Sequence, residues 1–181
     1  MFFYKPSNER TMLPQLRGER FIREGAMNVP QLEFAFRVRL DFPTGPRIRF
    51  PVRGAETRGF VTVAGGTVTG PRLQGDVIRG SGGDWPLFRS DGVVVFDARY
   101  LIRAQDGTII QVFNRGYAHA AADVQARIDR GEPVDPAENY FRLSPVFETD
   151  AGPHDWLTRS VFIGSGEKHA DHSIFHFFVV G

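Results

Sequence analysis

The sequence predicts an all-β protein: an antiparallel β-barrel of roughly nine strands with one short helical insertion at about residues 119–131. Three observations lead there. Residues 32–42, LEFAFRVRLDF, alternate apolar and polar side chains, the period of a strand with one buried face. The chain of 181 residues carries 20 glycines and 12 prolines, and turn signals recur at short intervals between its apolar runs. One stretch, HAAADVQARIDRGEP, has the alanine content and the Gly-then-Pro stop of a helix.

Taken in order, residues 1–30 mix Arg, Glu and Pro without a steady period. They form an arm outside the barrel, expected to pack on the barrel or on a second subunit. Residues 31–181 form the single barrel domain. After LEFAFRVRLDF, the strand candidates are IRFPV, GFVTVAGGTVTG, LQGDVIRG, VVVFDARYLIRA, TIIQVFNRGY, YFRLSPVFET, WLTRSVFIGSG and SIFHFFVVG. Thr44-Gly45-Pro46, Gly70-Pro71, Ser90-Asp91-Gly92 and Asp106-Gly107 separate them, and the last of these predicts a hairpin. Asp135-Pro136-Ala137-Glu138 has the spacing of a capped helical turn. A barrel is preferred to a sandwich because several strands carry polar residues on their second face, and a lumen gives those residues somewhere to point.

Composition narrows the function classes. There is no cysteine, which excludes disulfides, thiolate metal sites and a cysteine nucleophile. The 22 Lys and Arg are balanced by 21 Asp and Glu, interspersed, so no face for nucleic acid is expected. No apolar run reaches the roughly 18–20 residues of a membrane span, and the start, MFFYKPSNER, lacks a secretory apolar core. The expectation is a cytoplasmic protein with neither a nucleic-acid nor a membrane partner. A G-x-S-x-G elbow is absent, as is the fingerprint of a flavin or nicotinamide fold, so no cofactor is expected.

Five patterns occur together: LEFAFRVRLDF, RGSGGDW, VFDARYLIRAQDGTIIQVFNRG, GEPVDPAENYFRLSPVFET and DWLTRSVFIGSG. In this order and spacing the chain resembles the bacterial and fungal DUF3237 family, also called UPF0311, from about Leu32 to the C-terminus. The resemblance implies an antiparallel β-barrel and says little about chemistry. Site residues must therefore come from the residues themselves.

Gly80-Ser81-Gly82-Gly83 precedes Asp84-Trp85-Pro86. A phosphate loop needs a helix behind its glycines, and none follows here. The run reads instead either as a strand corner that places Asp84 as a polar handle and Trp85 as an apolar wall at the barrel mouth, or as a plain turn with a capping Asp and a packed Trp. Asp97 and Arg99 share one strand face, as do Arg142 and Glu148 two strands later. Either pair can enter a lumen or form a surface ion pair. In a lumen, Arg142 would bind an oxyanion and Glu148 would act as acid or base. The catalytic candidates are therefore Asp84, Arg142 and Glu148. The substrate-binding candidates are Trp85, Asp97, Tyr100, Asn114, Trp156 and His176. His169, His172 and His176 are close in sequence, but strand spacing puts His172 and His176 too far apart for one ion, so no metal is expected.

Three classes of function remain. The preferred one is a cofactor-free lyase, isomerase or cyclase acting on a small, oxygenated, partly apolar molecule. The alternatives are a non-catalytic ligand-binding barrel and an oligomeric accessory protein. A homo-oligomer is expected because uncertain closure leaves a strand edge free to pair.

Overall fold

The computed structural model describes residues 29–181 apart from 46, 55 and 170. The arm expected over residues 1–30 lies outside them but for its last two residues. The described chain forms twelve strands: β1 (Leu32–Asp41), β2 (Ile48–Val52), β3 (Glu56–Thr62), β4 (Gly65–Thr69), β5 (Gly75–Val77), β6 (Gly83–Asp84), β7 (Leu87–Phe88), β8 (Val94–Ala104), β9 (Ile109–Ala120), β10 (Asn139–Thr149), β11 (Val161–Lys168) and β12 (His172–Val180). Among the described residues the one α-helix, α1 (Ala122–Asp129), follows β9.

Eight strands close into an antiparallel barrel in the order β8, β5, β4, β1, β12, β11, β10, β9, with β9 returning to β8. The Asp106-Gly107 turn joins β8 to β9, and Gly107 takes a φ of 89° that glycine tolerates. The remaining four strands follow from how β8 shares its other edge. Its C-terminal part pairs with β5, through Val77↔Ile102, and its N-terminal part pairs with β6 and β7, through Asp84↔Ala98 and Leu87↔Val95. Strand β3 then pairs with β6 and β7, and β2 with β3, so these four form a flap on one end of the ring.

The barrel class agrees with the sequence reading; β6 and β7 lie outside every strand the sequence predicted, which brings the roughly nine expected strands toward twelve, and the boundaries differ most in two further places. GFVTVAGGTVTG is broken between β3 and β4, where Gly65 and Gly66 have φ of 125° and 148°. A Cβ at Gly66 would lie 1.9 Å from the carbonyl oxygen of Arg39, so only glycine lets β4 lie against β1 there. WLTRSVFIGSG opens with a 3-10 turn, Asp155–Thr158, before β11 begins. The helix falls inside its predicted stretch, and the Gly131 N–H donates to the Ile128 carbonyl at 3.0 Å. Asp135 accepts from the Ala137 N–H at 2.9 Å and Glu138 from the Asp135 N–H at 3.2 Å, the reciprocal cap that the sequence spacing announces.

Inward positions follow strand parity. On β8 they are Phe96, Ala98, Tyr100, Ile102 and Ala104; on β12, Ser173, Phe175, Phe177 and Val179. One end of the barrel is packed solid. Phe36, Phe147, Phe162 and Phe177 meet there with ring centroids 4.9–5.8 Å apart, and Trp156 closes over them. Each fully buried Phe contributes about 1.5–3 kcal/mol relative to exposure. The other end is not filled, and it holds the candidate site.

Candidate functional site

At the open end the inward residues are small: Ala98 on β8, Ala118 and Ala120 on β9, Ser173 on β12. Closure of the ring over small side chains leaves a cavity of about 280 Å³. That is near the lower bound of ligand sites, roughly 300–1,000 Å³. Leu40, Phe96, Phe141 and Phe175 form its apolar floor. Strands β2 and β3 supply one wall, through Arg47 just before β2, Ile48, Arg49 and Val61. Gln125, Ile128 and Asp129 of α1 supply another.

Asp84 reaches this cavity because of the glycine run. Gly82 lies flush against β8 and Gly83 against β3: a Cβ at Gly82 would stand 1.8 Å from the Arg99 carbonyl oxygen, and one at Gly83 would stand 2.4 Å from the Phe60 ring. Gly80 turns with a φ of 70°, and the Ser81 hydroxyl accepts from the Leu101 N–H at 3.0 Å. The corner carries the chain from the β5 segment of the β8 edge to the β6 segment. Asp84 then stands opposite Ala98, on the inward face. Its Oδ1 accepts from the Asp97 N–H at 3.1 Å. Burial pushes the carboxyl up to about 6 and repulsion from Asp97 adds to it; the hydrogen bonds from the Asp97 and Trp85 N–H groups and the charge of Arg47 pull the other way.

Cations surround the mouth. Arg47 lies over the Phe42 ring at 5.5 Å and Arg49 over the Phe88 ring at 4.3 Å. Lys168, at the end of β11, also lines the cavity and stays partly open to solvent. Desolvation against the wall lowers its pKa, as does repulsion from Arg47 and Arg49, while Asp129 raises it.

Asp84 is the one sequence-predicted site residue among those lining the cavity. Trp85 alternates outward, is exposed, and packs at a tilt against Phe60 with ring centroids 5.1 Å apart, so it is not the cavity wall it was expected to be. Arg142 and Glu148, expected in the lumen, are corrected to the outer face of β10; Phe141, Leu143 and Phe147 of that strand point inward. The apolar face outcompetes the charged one for the interior because unpaired buried charge is costly. Arg142 Nη1 donates to its neighbour's carbonyl, that of Phe141, at 3.0 Å. Asp97 also faces outward, 3.2 Å from Arg115 Nε and 3.5 Å from Arg99 Nη2. Burial raises its pKa, but the hydrogen bonds and charges of the two arginines hold it below the usual value. His176 lies on the outer face of β12, its Nδ1 3.7 Å from Glu167 Oε1. Trp156 belongs to the filled end, where Arg72 lies 3.9 Å over its ring.

Tyr100 and Asn114 are interior, Asn114 directly across from Ala98 and Tyr100 two residues further along β8, opposite Val112. Among the described residues their side-chain polar atoms have no hydrogen-bond partner. Burial holds the Tyr100 hydroxyl protonated by raising its pKa. Among the described residues, no three His, Asp or Glu side chains gather to hold an ion, and no helix is long and apolar enough to cross a membrane. Sequence reasoning missed Arg47, Arg49 and Lys168. The two arginines carried a signal, since a two-residue spacing puts them on one face of an extended segment. Lys168 carried none.

Comparison with known proteins agrees with this architecture. A UPF0311 protein, RPA1785 of Rhodopseudomonas palustris, is 34% identical over 118 residues, 65% of this chain and 76% of that one. Its crystal structure superposes with a TM-score of 0.77 at 28% identity, covering 86% of this chain and 99% of that one. A beta-barrel like protein from Acinetobacter baumannii gives a TM-score of 0.74 at 28% identity, covering 87% and 100%. The hydroalkoxylation enzyme phnH of Penicillium herquei is 35% identical over 83 residues, 46% of this chain and 53% of that one. The model of DUF3237, described as a protein of unknown function, matches residues 30–180. With the barrel and its open end in place, that match over most of the chain makes this protein a member of the DUF3237 family.

Proposed function

We propose that this chain is a cofactor-free acid–base enzyme of the lyase, isomerase or cyclase kind, acting on a small, oxygenated, partly apolar molecule in the open end of the barrel. One observation carries the reading: Asp84 sits largely buried at the wall of an apolar cavity, with its pKa pushed up to about 6. A carboxyl that titrates near neutral pH can take a proton in one step and return it in the next. The relative named a hydroalkoxylation enzyme supports this type of chemistry.

For such a reaction on a polarised alkene, the hydroxyl oxygen forms a bond to one alkene carbon and its proton passes to the Asp84 carboxylate. The resulting acid then delivers a proton to the other carbon. The sum is redox-neutral and regenerates the carboxylate. Within one molecule it closes a ring without changing mass, so the test is chromatographic. A panel of hydroxy-alkenes small enough for the cavity is incubated with the wild-type protein and with Asp84→Asn, and isomeric products are followed. Turnover by the wild type alone is expected. Equal rates in both proteins, or none in either, would sink the reading. Ligand binding without turnover would instead favour a carrier barrel.

The assembly and the compartment belong to the same proposal. Leu32 pairs with Val180, which pairs with Val161; Phe34 pairs with Phe178, which pairs with Ile163. Together with exposed Val146 on β10 these residues make an apolar stripe on the outer wall, which suits contact with another copy of the chain. Sedimentation at micromolar concentration should find a species heavier than the monomer, and a clean monomer would remove this part. The cysteine-free composition suits the cytoplasm.

A further inference from the structure

We propose that the cavity selects an organic oxyanion, a carboxylate or phenolate on a flat apolar body, with the anionic oxygen seated among Arg47, Arg49 and Lys168 and the body on the Phe96–Phe141–Phe175 floor. The inference rests on the reading that this cavity is the ligand site, and it adds the substrate class.

Three features carry it. The first is an imbalance of charge around one small volume. Arg47, Arg49 and Lys168 all line it and, among the described residues, none has a carboxylate within salt-bridge distance. Arg89, which also lines the cavity, is by contrast already paired with Asp91. The carboxylates facing the cavity are Asp84, which sits deeper, and Asp129, which already accepts a hydrogen bond from Gln125 at 2.9 Å. With Asp84 and Asp129 acting on them only from beyond contact distance, the gathered cations repel one another, an arrangement that an arriving anion relieves.

The second feature is how the arginines are held. Each guanidinium rests on an aromatic face, Arg47 on Phe42 and Arg49 on Phe88. Stacking satisfies the plane of the group and leaves its N–H edge free to donate, the geometry in which arginine takes an oxyanion. The third is the floor. Phe141 meets Phe96 at 5.1 Å and Phe175 at 5.6 Å, both edge-on. That surface suits a flat apolar body, with Asp84 beside it on β6. An oxyanion at the cationic rim would place the body of the molecule, not its acid group, beside the Asp84 carboxyl. This separates the anchoring charge from the proton-transfer group.

The experiment is isothermal titration calorimetry on the full chain with two probes of one shape, 2-naphthoate and the neutral 2-naphthamide. The wild type should bind naphthoate about tenfold or more tightly than naphthamide. The double variant Arg47→Gln with Arg49→Gln should lose most of that preference, and Lys168→Met part of it. Naphthamide affinity and the unfolding midpoint should stay near those of the wild type in each. Equal affinity for both probes in the wild type overturns the anion inference and leaves the cavity reading standing. A preference that survives in the double variant and in Lys168→Met also overturns it. If neither probe binds the wild type, the cavity reading fails and the inference with it.

Discussion

The two ends of this barrel are made by the same strands and hold opposite contents. At one end β1, β10, β11 and β12 contribute Phe36, Phe147, Phe162 and Phe177, which interlock edge-on or tilted and leave no room. At the other end β8, β9 and β12 contribute Ala98, Ala118, Ala120 and Ser173, and a cavity of about 280 Å³ remains. Both ends obey the same alternation and the same ring closure. The difference lies in side-chain volume at inward positions, which decides whether a closed ring becomes a core or a vessel. The filled end supplies stability, and the open end can then tolerate a buried carboxyl that works against folding.

The largest effect should come from removing an aromatic ring from the filled end. Phe147→Ala is expected to cost about 3–5 kcal/mol, because its neighbours cannot collapse into the hole. Phe175→Ala, whose ring already borders open space, should cost less than half as much. Urea unfolding of the two variants side by side measures this, and equal losses would erase the contrast between the ends.

A pH titration sharpens the contrast from the other side. Asp84 has a folded pKa raised by burial from 3.8 to about 6, so the folded protein holds this proton more tightly than the unfolded chain does. Its contribution to stability is therefore fully present below about pH 4, is lost as pH rises to about 6, and stays lost above that. The shift corresponds to at most about 3 kcal/mol. Asp84→Asn keeps an acceptor for the Asp97 N–H and removes the titration. It should be more stable than the wild type at pH 7 and lose that advantage at pH 4. A stability difference that is constant across this range would show that Asp84 is not desolvated.

Smaller effects are expected outside the barrel wall. Trp85→Ala removes a ring tilted against Phe60 at the surface; it should cost about 1 kcal/mol and leave 2-naphthoate binding unchanged. A loss of binding would mean that the flap transmits shape to the cavity. Smallest of all, Arg142→Gln and Glu148→Gln should each stay within about 0.5 kcal/mol of the wild type, since both side chains are solvated. Any change in turnover from either would return β10 to the catalytic question.

The candidate site was legible in the sequence only where a local constraint spoke. Glycine before Asp84 announced a corner, because a backbone that must approach its neighbours this closely has no room for a Cβ, and the corner is where Gly82 meets β8 and Gly83 meets β3. The helix stop at Gly131 and the reciprocal cap at Asp135 were legible for the same reason. The meeting of Arg47 and Arg49 with Lys168 was not, because Lys168 stands more than a hundred residues from the arginine pair and joins it only when the flap and the end of β11 face one cavity.

What the sequence by itself determined is parity: Arg142 shares a face with Glu148, Phe141 with Phe147, and Asp97 with Arg99, because neighbouring side chains on a strand point to opposite sides whatever the strand packs against. It also determined the all-β class, through the density of alternating runs and turn residues. The tertiary structure decided which face of each strand became lumen and at what height along the axis each residue came to rest. Those depend on pairing register and ring closure, such as Asp84 opposite Ala98 and Val94 opposite Ala118. Both are contacts between segments distant in the chain. Desolvation made the choice between faces, sending the phenylalanines of β10 inward and its charges to water.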